Sequence, residues 1–310
     1  MPATILEEPS FTHVTVMPDE VVQAFAGTTG LVIDATAGGG GHSHALLSRY
    51  PELRLLAFDR DETAVRAASE RLSEFGLRAR VEHLSFSRIG ERLDELGIEE
   101  VSGVIADLGV SSQQLALADR GMSFRLEGPL DMRMDTSTGE TAAELIERVS
   151  QEELADLIYD LGEERGSRRI ARCIKQALAR GELTTTLDLR RAVVKAIGPR
   201  RTGGVDPATR TFQALRIAVN AEIDELSSLL DFSRKRLMDG GVAAFISFHS
   251  LEDRRVKREF MKRDFWQRLT PKPIVASEGE QAQNPRSRSA KLRVGRRHSP
   301  LSFDIDAEEE

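Results

Sequence analysis

Leu31-Val32-Ile33-Asp34-Ala35-Thr36-Ala37-Gly38-Gly39-Gly40-Gly41 is the stretch on which the fold turns. Its apolar, β-branched start suits a short buried strand, and positions 38–41 are all glycine. His42 to Arg49 then reads as a helix. Glycines let the backbone approach a ligand closely, and a helix N-terminus adds unpaired N–H groups and partial positive charge.

Outward from this turn the pattern repeats. Leu53 to Asp59 reads as a second strand, and Asp61 to Phe75 has helical periodicity that stops at Gly76. Arg80 to Phe86 suits a third strand and Val101 to Leu108 a fourth. Strands alternating with helices imply parallel pairing and an α/β layered fold. After residue 111 the alternation breaks. Residues 112–138 hold Gly121, Gly128 and Pro129 and read as an irregular loop, followed by helical segments from Thr141 to Arg180 and from Thr185 to Ile197. A long helix is expected from Pro207 to Leu237. The sheet resumes at Gly241 to Phe248, then comes a helix from Leu251 to Phe265 and a terminal hairpin of Ile274-Val275 with Ala290 to Val294. The expected organisation is an all-helical insert, residues 112–215, inside an α/β domain of residues 1–111 and 216–303, with an acidic tail at 304–310.

Composition narrows the class. The 310 residues are 40% hydrophobic and 30% charged, which suits a globular protein with a real core. The single cysteine, Cys173, allows no internal disulfide and suits a reducing compartment. The N-terminal MPATILEEPS is acidic and has no apolar signal core, and no apolar run approaches the ~18 residues of a membrane helix. The chain therefore reads as cytoplasmic, without membrane attachment. The net charge of −7 hides an asymmetry: residues 1–150 carry 13 Lys+Arg against 25 Asp+Glu, whereas residues 151–300 carry 30 against 20. Local positive charge is what meets phosphate. The clusters Arg165–Arg172, Arg190–Arg210, Arg254–Arg263 and Arg286–Arg297 are candidates for that contact or, equally, solvated helix faces.

The glycine turn is not a dinucleotide fingerprint, because Ser43 occupies the third glycine position of G-x-G-x-x-G. S-adenosylmethionine has no pyrophosphate to cradle; it needs a tight turn under its methionine part and a carboxylate for its ribose hydroxyls. Asp59, ending the second strand, supplies such a carboxylate. A plain turn and a helix N-cap are the separate alternatives; together, at the carboxyl ends of neighbouring strands, the residues favour a ligand. Asp107 ends the fourth strand and faces the same crevice, toward cofactor, substrate or neither. Phe86 suits adenine stacking or the core.

Longer strings then become informative. They are Asp34-Ala35-Thr36 with Gly39-Gly40-Gly41-His42-Ser43; Asp107-Leu108-Gly109-Val110-Ser111-Ser112; Gly128-Pro129-Leu130-Asp131-Met132-Arg133-Met134-Asp135; Ala208-Thr209-Arg210-Thr211-Phe212-Gln213-Ala214-Leu215-Arg216; Ser247-Phe248-His249-Ser250-Leu251-Glu252-Asp253-Arg254; and Asn284-Pro285-Arg286-Ser287-Arg288-Ser289. In this order they resemble the MraW family, bacterial small-subunit ribosomal RNA methyltransferases that modify a cytosine at N4. The resemblance covers nearly the whole chain. It implies a class I S-adenosylmethionine-dependent methyltransferase, a Rossmann-like sheet interrupted by a helical substrate domain. It implies cofactor contacts at Gly40, Gly41, His42, Asp59, Phe86, Asp107 and Gln114. The implied product is N4-methylcytidine in the decoding region of 16S rRNA, within the small ribosomal subunit. Departures fall at Met17-Pro18, where the family has aliphatic residues, at Ala116 after Gln114-Leu115, and at Met122 in Arg120-Gly121-Met122-Ser123-Phe124. They spare the glycine turn and both strand-end acids.

Such an attack by an exocyclic amine needs orientation and a hydrogen-bond acceptor on its N–H, and no metal. No metal-ligand spacing is visible. Candidate acceptors are Asp107, the Leu108-Gly109 backbone, Ser111, Ser112 and His249, and none is singled out as a catalytic base. A methyltransferase for DNA, protein or a small molecule, and a non-catalytic nucleotide- or RNA-binding module on the same fold, remain as rival readings.

Overall fold

The computed structural model describes residues 14–199 and 205–298. The described residues within 1–109 and 226–310 form one compact unit, and those within 110–225 form another. The expected tail at 304–310 lies outside the described residues.

The first unit is built on seven strands: β1 (Gly30–Asp34), β2 (Leu53–Asp59), β3 (Ala79–His83), β4 (Val101–Asp107), β5 (Leu237–Ser247), β6 (Trp266–Arg268) and β7 (Lys291–Arg297). Their order is β3-β2-β1-β4-β5-β7-β6. The first five are parallel, and β7 runs antiparallel to both β5 and β6. This mixed sheet has the Rossmann-like layout that the resemblance implied. Strand alternation feeds both faces of it. Val32, Leu55, Ala57, Ile105, Ala244 and Ile246 enter one apolar cluster, while Ile33, Leu56, Phe58, Val104, Ala106 and Phe245 enter the other. The chain leaves β1 toward β2 and β3, then returns to add β4 on the opposite side. The crevice at the carboxyl ends of β1 and β4 is therefore a topological switch point, where open α/β sheets bind ligands.

The second unit is helical, with Ala142–Arg148, Gln151–Gly162, Ser167–Ala179, Thr186–Ile197 and Thr209–Val219 around a core that includes Ile158, Ile170, Ile174, Leu189, Phe212 and Leu215. Capping boxes at Thr141/Glu144, Ser150/Glu153 and Thr185/Asp188 start three of these helices. The unit runs 110–225 where 112–215 was expected.

Other differences have local causes. The expected helix Pro207 to Leu237 is two helices, Thr209–Val219 and Glu222–Arg236. Between them, Ala221 takes a left-handed φ of 49°. The buried Asn220 accepts a hydrogen bond from Met134 N–H (2.7 Å) and donates to the Met132 carbonyl (2.7 Å), tying the break to the preceding loop. The terminal strand is not half of a hairpin with Ile274-Val275. It pairs with β5 and β6, and Ile274 contributes one isolated bridge, to Leu292. The helix expected to reach Phe265 is Ser250–Phe260, because β6 follows. Among the described residues, no helix is long and apolar enough to cross a membrane.

Candidate functional site

Three strand-end carboxylates share the carboxyl rim of the sheet. Asp34 pairs in register with Ala57 of β2 and Ile105 of β4, so β1, β2 and β4 end side by side. Hydrogen bonds then knit their tails. Ala35 N–H donates to Ile105 O (2.9 Å), Ala37 N–H to Phe58 O (2.8 Å), Gly38 N–H to Asp59 Oδ2 (2.8 Å) and Asp107 N–H to Thr36 Oγ1 (2.6 Å). The glycine turn, Asp59 and Asp107 thus belong to one bonded rim.

The turn needs its glycines for distinct reasons. Gly40 is the N-cap of the helix Gly41–Arg49 and holds a left-handed φ of 73°. At Gly41 the issue is space: a Cβ there would lie 1.7 Å from Thr15 Oγ1. His42 is buried, and its Nε2 lies 2.8 Å from the Val16 carbonyl. Its imidazole is therefore engaged with the Val14–Met17 segment. Asp34 anchors the arrangement from below, accepting from Thr36 N–H (3.0 Å) and Ser43 Oγ–H (2.6 Å). Burial pushes the Asp34 carboxyl up, opposed by the Ser43 hydrogen bond.

Asp59 accepts from the backbone N–H groups of Gly38 and, at 2.9 Å, of Asp61. Burial nevertheless raises its carboxyl from 3.8 to about 6, and the nearby Asp61 and Asp34 push the same way. It is a carboxylate held where ionisation is unfavourable, with lone pairs left to accept further hydrogens. The helix N-cap that Asp59 offered as an alternative is filled instead by Asp61, whose side chain accepts from Thr63 N–H.

Asp107 is nearly buried and faces Arg286, whose guanidinium lies 3.5 Å from each carboxylate oxygen. Phe86 is half-buried past β3 and packs against the cluster containing Ile33 and Phe58. Gln114 lies in the helical unit, where its side chain closes a capping box with Ser111. Ser111 and Ser112 belong to that cap and its helix. His249 is the N-cap residue of the helix Ser250–Phe260, with Nε2 3.1 Å from Glu252 Oε1. Sequence reasoning missed the Ser43–Asp34 bond and Arg286 beside Asp107. Their motif strings were visible, but the pairing of Arg286 with a residue 179 positions away was not.

Curated relatives named ribosomal RNA small subunit methyltransferase H match over almost the full chain. That of Sorangium cellulosum (strain So ce56) is 58% identical over 286 residues, 92% of this chain and 90% of that one. Those of Prochlorococcus marinus (strain MIT 9303) and Synechococcus sp. (strain WH7803) are 54% and 51% identical, covering 98% and 96% of this chain and 99% and 98% of theirs. The model of the MraW methylase family matches residues 10–298, spanning the glycine turn, both strand-end acids and the Asn284–Ser289 turn, and the chain belongs to that family.

Proposed function

We propose that this protein transfers a methyl group from S-adenosylmethionine to the N4 amino group of a cytidine in the decoding region of 16S rRNA. The observation that carries this reading is the bonded rim joining the glycine turn, Asp59 and Asp107 at the switch point of the sheet. The names and coverage of the relatives support a small-subunit rRNA substrate.

The residues present fit the cofactor. The turn at Gly38–Gly41 offers a backbone cradle that a Cβ at Gly41 would disturb, and Asp59 offers an acceptor for ribose hydroxyls. Gly40, Gly41, His42, Asp59, Phe86, Asp107 and Gln114 are the contacts proposed. When bound, S-adenosylmethionine supplies a methyl on a sulfonium centre, which already has a good leaving group. The protein's task is to hold the target amine in line and to accept hydrogen bonds from its N–H groups, since the amine lone pair is conjugated into the ring. Asp107 and the adjacent Leu108 carbonyl are the acceptors proposed, with the released proton passing to water. A base in folded RNA must be splayed out to reach such a crevice. Exposed arginines in 165–172 and 254–258 are suited to holding the backbone; part of the 190–210 cluster lies outside the described residues.

Incubation of small ribosomal subunits with methyl-labelled cofactor, followed by mass spectrometry of the nucleosides, tests the reading. Labelled N4-methylcytidine is expected. Label in another nucleoside, or only in DNA or protein, would overturn it, and failure to bind S-adenosylmethionine in calorimetry would favour a non-catalytic module.

A further inference from the structure

The Asn284–Ser289 string has so far no role beyond family likeness. Its structure is a short turn built to aim one side chain. The buried Asn284 accepts from Arg286 N–H (3.3 Å), and its Nδ2 donates to the Val14 carbonyl (3.4 Å). Its own carbonyl accepts from Ser287 N–H (3.0 Å) and Ser287 Oγ–H (2.9 Å), with Ser287 fully enclosed. The turn leads straight into β7, so its base is fixed to the sheet.

From this base Arg286 reaches the rim. Its guanidinium carbon stands 4.3 Å from the centre of the Phe248 ring. Its Nη1 is 3.5 Å from Asp107 Oδ2, and its Nη2 is 3.5 Å from Asp107 Oδ1 and 3.4 Å from the Leu108 carbonyl. The side chains are 13% and 5% exposed, so solvent screens the pair weakly. Among the described residues, no other side chain bonds the Asp107 carboxylate.

We propose that Arg286 is a positioning residue, which holds the Asp107 carboxylate and the Leu108 carbonyl together as a pair of acceptors for the two hydrogens of the target amino group. The inference rests on the reading of Asp107 given above. A cytosine amine attacks only when its lone pair leaves conjugation with the ring, and two acceptors placed on its two N–H groups favour that geometry. One guanidinium touching both acceptors sets their spacing. Its contacts lie at the long end of hydrogen bonding, so it acts through charge and shape and leaves acceptor lone pairs open. Stacking on Phe248 fixes the plane of the fork, which an ammonium cannot reproduce. The cation also offsets a rim that carries Asp34, Asp59 and Asp107 together. A tie that merely fastens the C-terminal turn to the sheet would instead show as lost stability or weakened binding.

The test compares Arg286→Ala, Arg286→Lys, Asp107→Asn and the Ala/Asn double variant on small subunits, with cofactor affinity by calorimetry and thermal melting alongside. For Arg286→Ala, kcat at saturating cofactor is expected to fall by at least about 10-fold while the KM for subunits stays within about 3-fold. Arg286→Lys should recover part of kcat, and the double variant should lose less than the product of the two single losses, because both changes act on one acceptor pair. An unchanged kcat in Arg286→Ala, a loss confined to KM, or losses that multiply in the double variant would overturn the role. If Arg286→Ala does not fold, Arg286→Lys decides: parental kcat, or a loss confined to KM, overturns it. Parental turnover in Asp107→Asn would remove the underlying reading of Asp107 and this inference with it. A slow Asp107→Asn beside a parental Arg286→Ala would remove the inference alone.

Discussion

Ser43 Oγ donates to Asp34 Oδ2 at 2.6 Å across the glycine turn, and both side chains are buried. One bond thus joins the end of β1 to the first turn of the helix Gly41–Arg49, and the glycines between them are held from both sides. Ser43→Ala would leave a buried carboxylate short of one donor. The expected loss is ~1–3 kcal/mol of unfolding free energy, with weaker cofactor binding as the turn loosens. Denaturant titration and calorimetry measure the two effects; a variant as stable as the parent would show that the bond does not secure the turn.

Gly41 and Thr15 make a steric prediction. A Cβ on Gly41 would meet Thr15 Oγ1 at 1.7 Å and Thr15 Cβ at 3.0 Å. Gly41→Ala should therefore displace the 14–17 segment, which His42 also grips, and lower both the melting temperature and cofactor affinity. Thr15→Ala removes the closest clashing atom and should restore part of the loss in the double variant. If the double variant is no better than Gly41→Ala alone, the clash is not what makes glycine necessary there.

These two contacts mark the limit of what was legible in the chain. Strand, glycine run and helix are local signals, so β1, β2, β4 and the rim acids Asp59 and Asp107 could be placed from periodicity and position. The break at Asn220 could not, because an apolar helical pattern runs through it and the deciding bonds go to Met132 and Met134, far upstream. The three-residue β6 is too short for a periodic signal. Arg286 sat in a noticed motif, yet its meaning depends on a pairing across the sheet that only folding creates. Phe86 was ambiguous from the sequence because one ring can serve a core or a ligand, and it packs on the cluster of Ile33 and Phe58. Gln114 entered by resemblance alone, and its side chain is engaged in a cap.

The helix Ser250–Phe260 carries Arg255 and Arg258 exposed, and among the described residues neither makes an ion pair. If they meet rRNA phosphates, binding should weaken steeply as salt rises, and replacing both with alanine should reduce the log–log salt slope by about two while leaving kcat at saturating substrate unchanged. Affinity that stays flat from low to high salt would contradict a phosphate-led interface, and an unchanged slope would exclude these two arginines from it.

Asp59 makes predictions of opposite sign for folding and for binding. Its carboxyl is raised from 3.8 to about 6 by burial, so the fold prefers it protonated. In the cofactor-free protein, its contribution to stability is fully present below the ordinary value of 3.8 and is lost as pH rises through about 6. Cofactor binding runs the other way. Accepting ribose hydroxyls requires the carboxylate, so affinity should fall as pH drops below about 6. Asp59→Asn should remove the part of both trends that Asp59 carries: its weakened cofactor affinity should change less from pH ~7 to ~5 than the parent's, with Asp34, whose carboxyl burial also pushes up, left to titrate. Calorimetry across that range measures the binding limb. Parental affinity that holds constant through pH 6 would show that the Asp59 carboxylate does not hold the ribose.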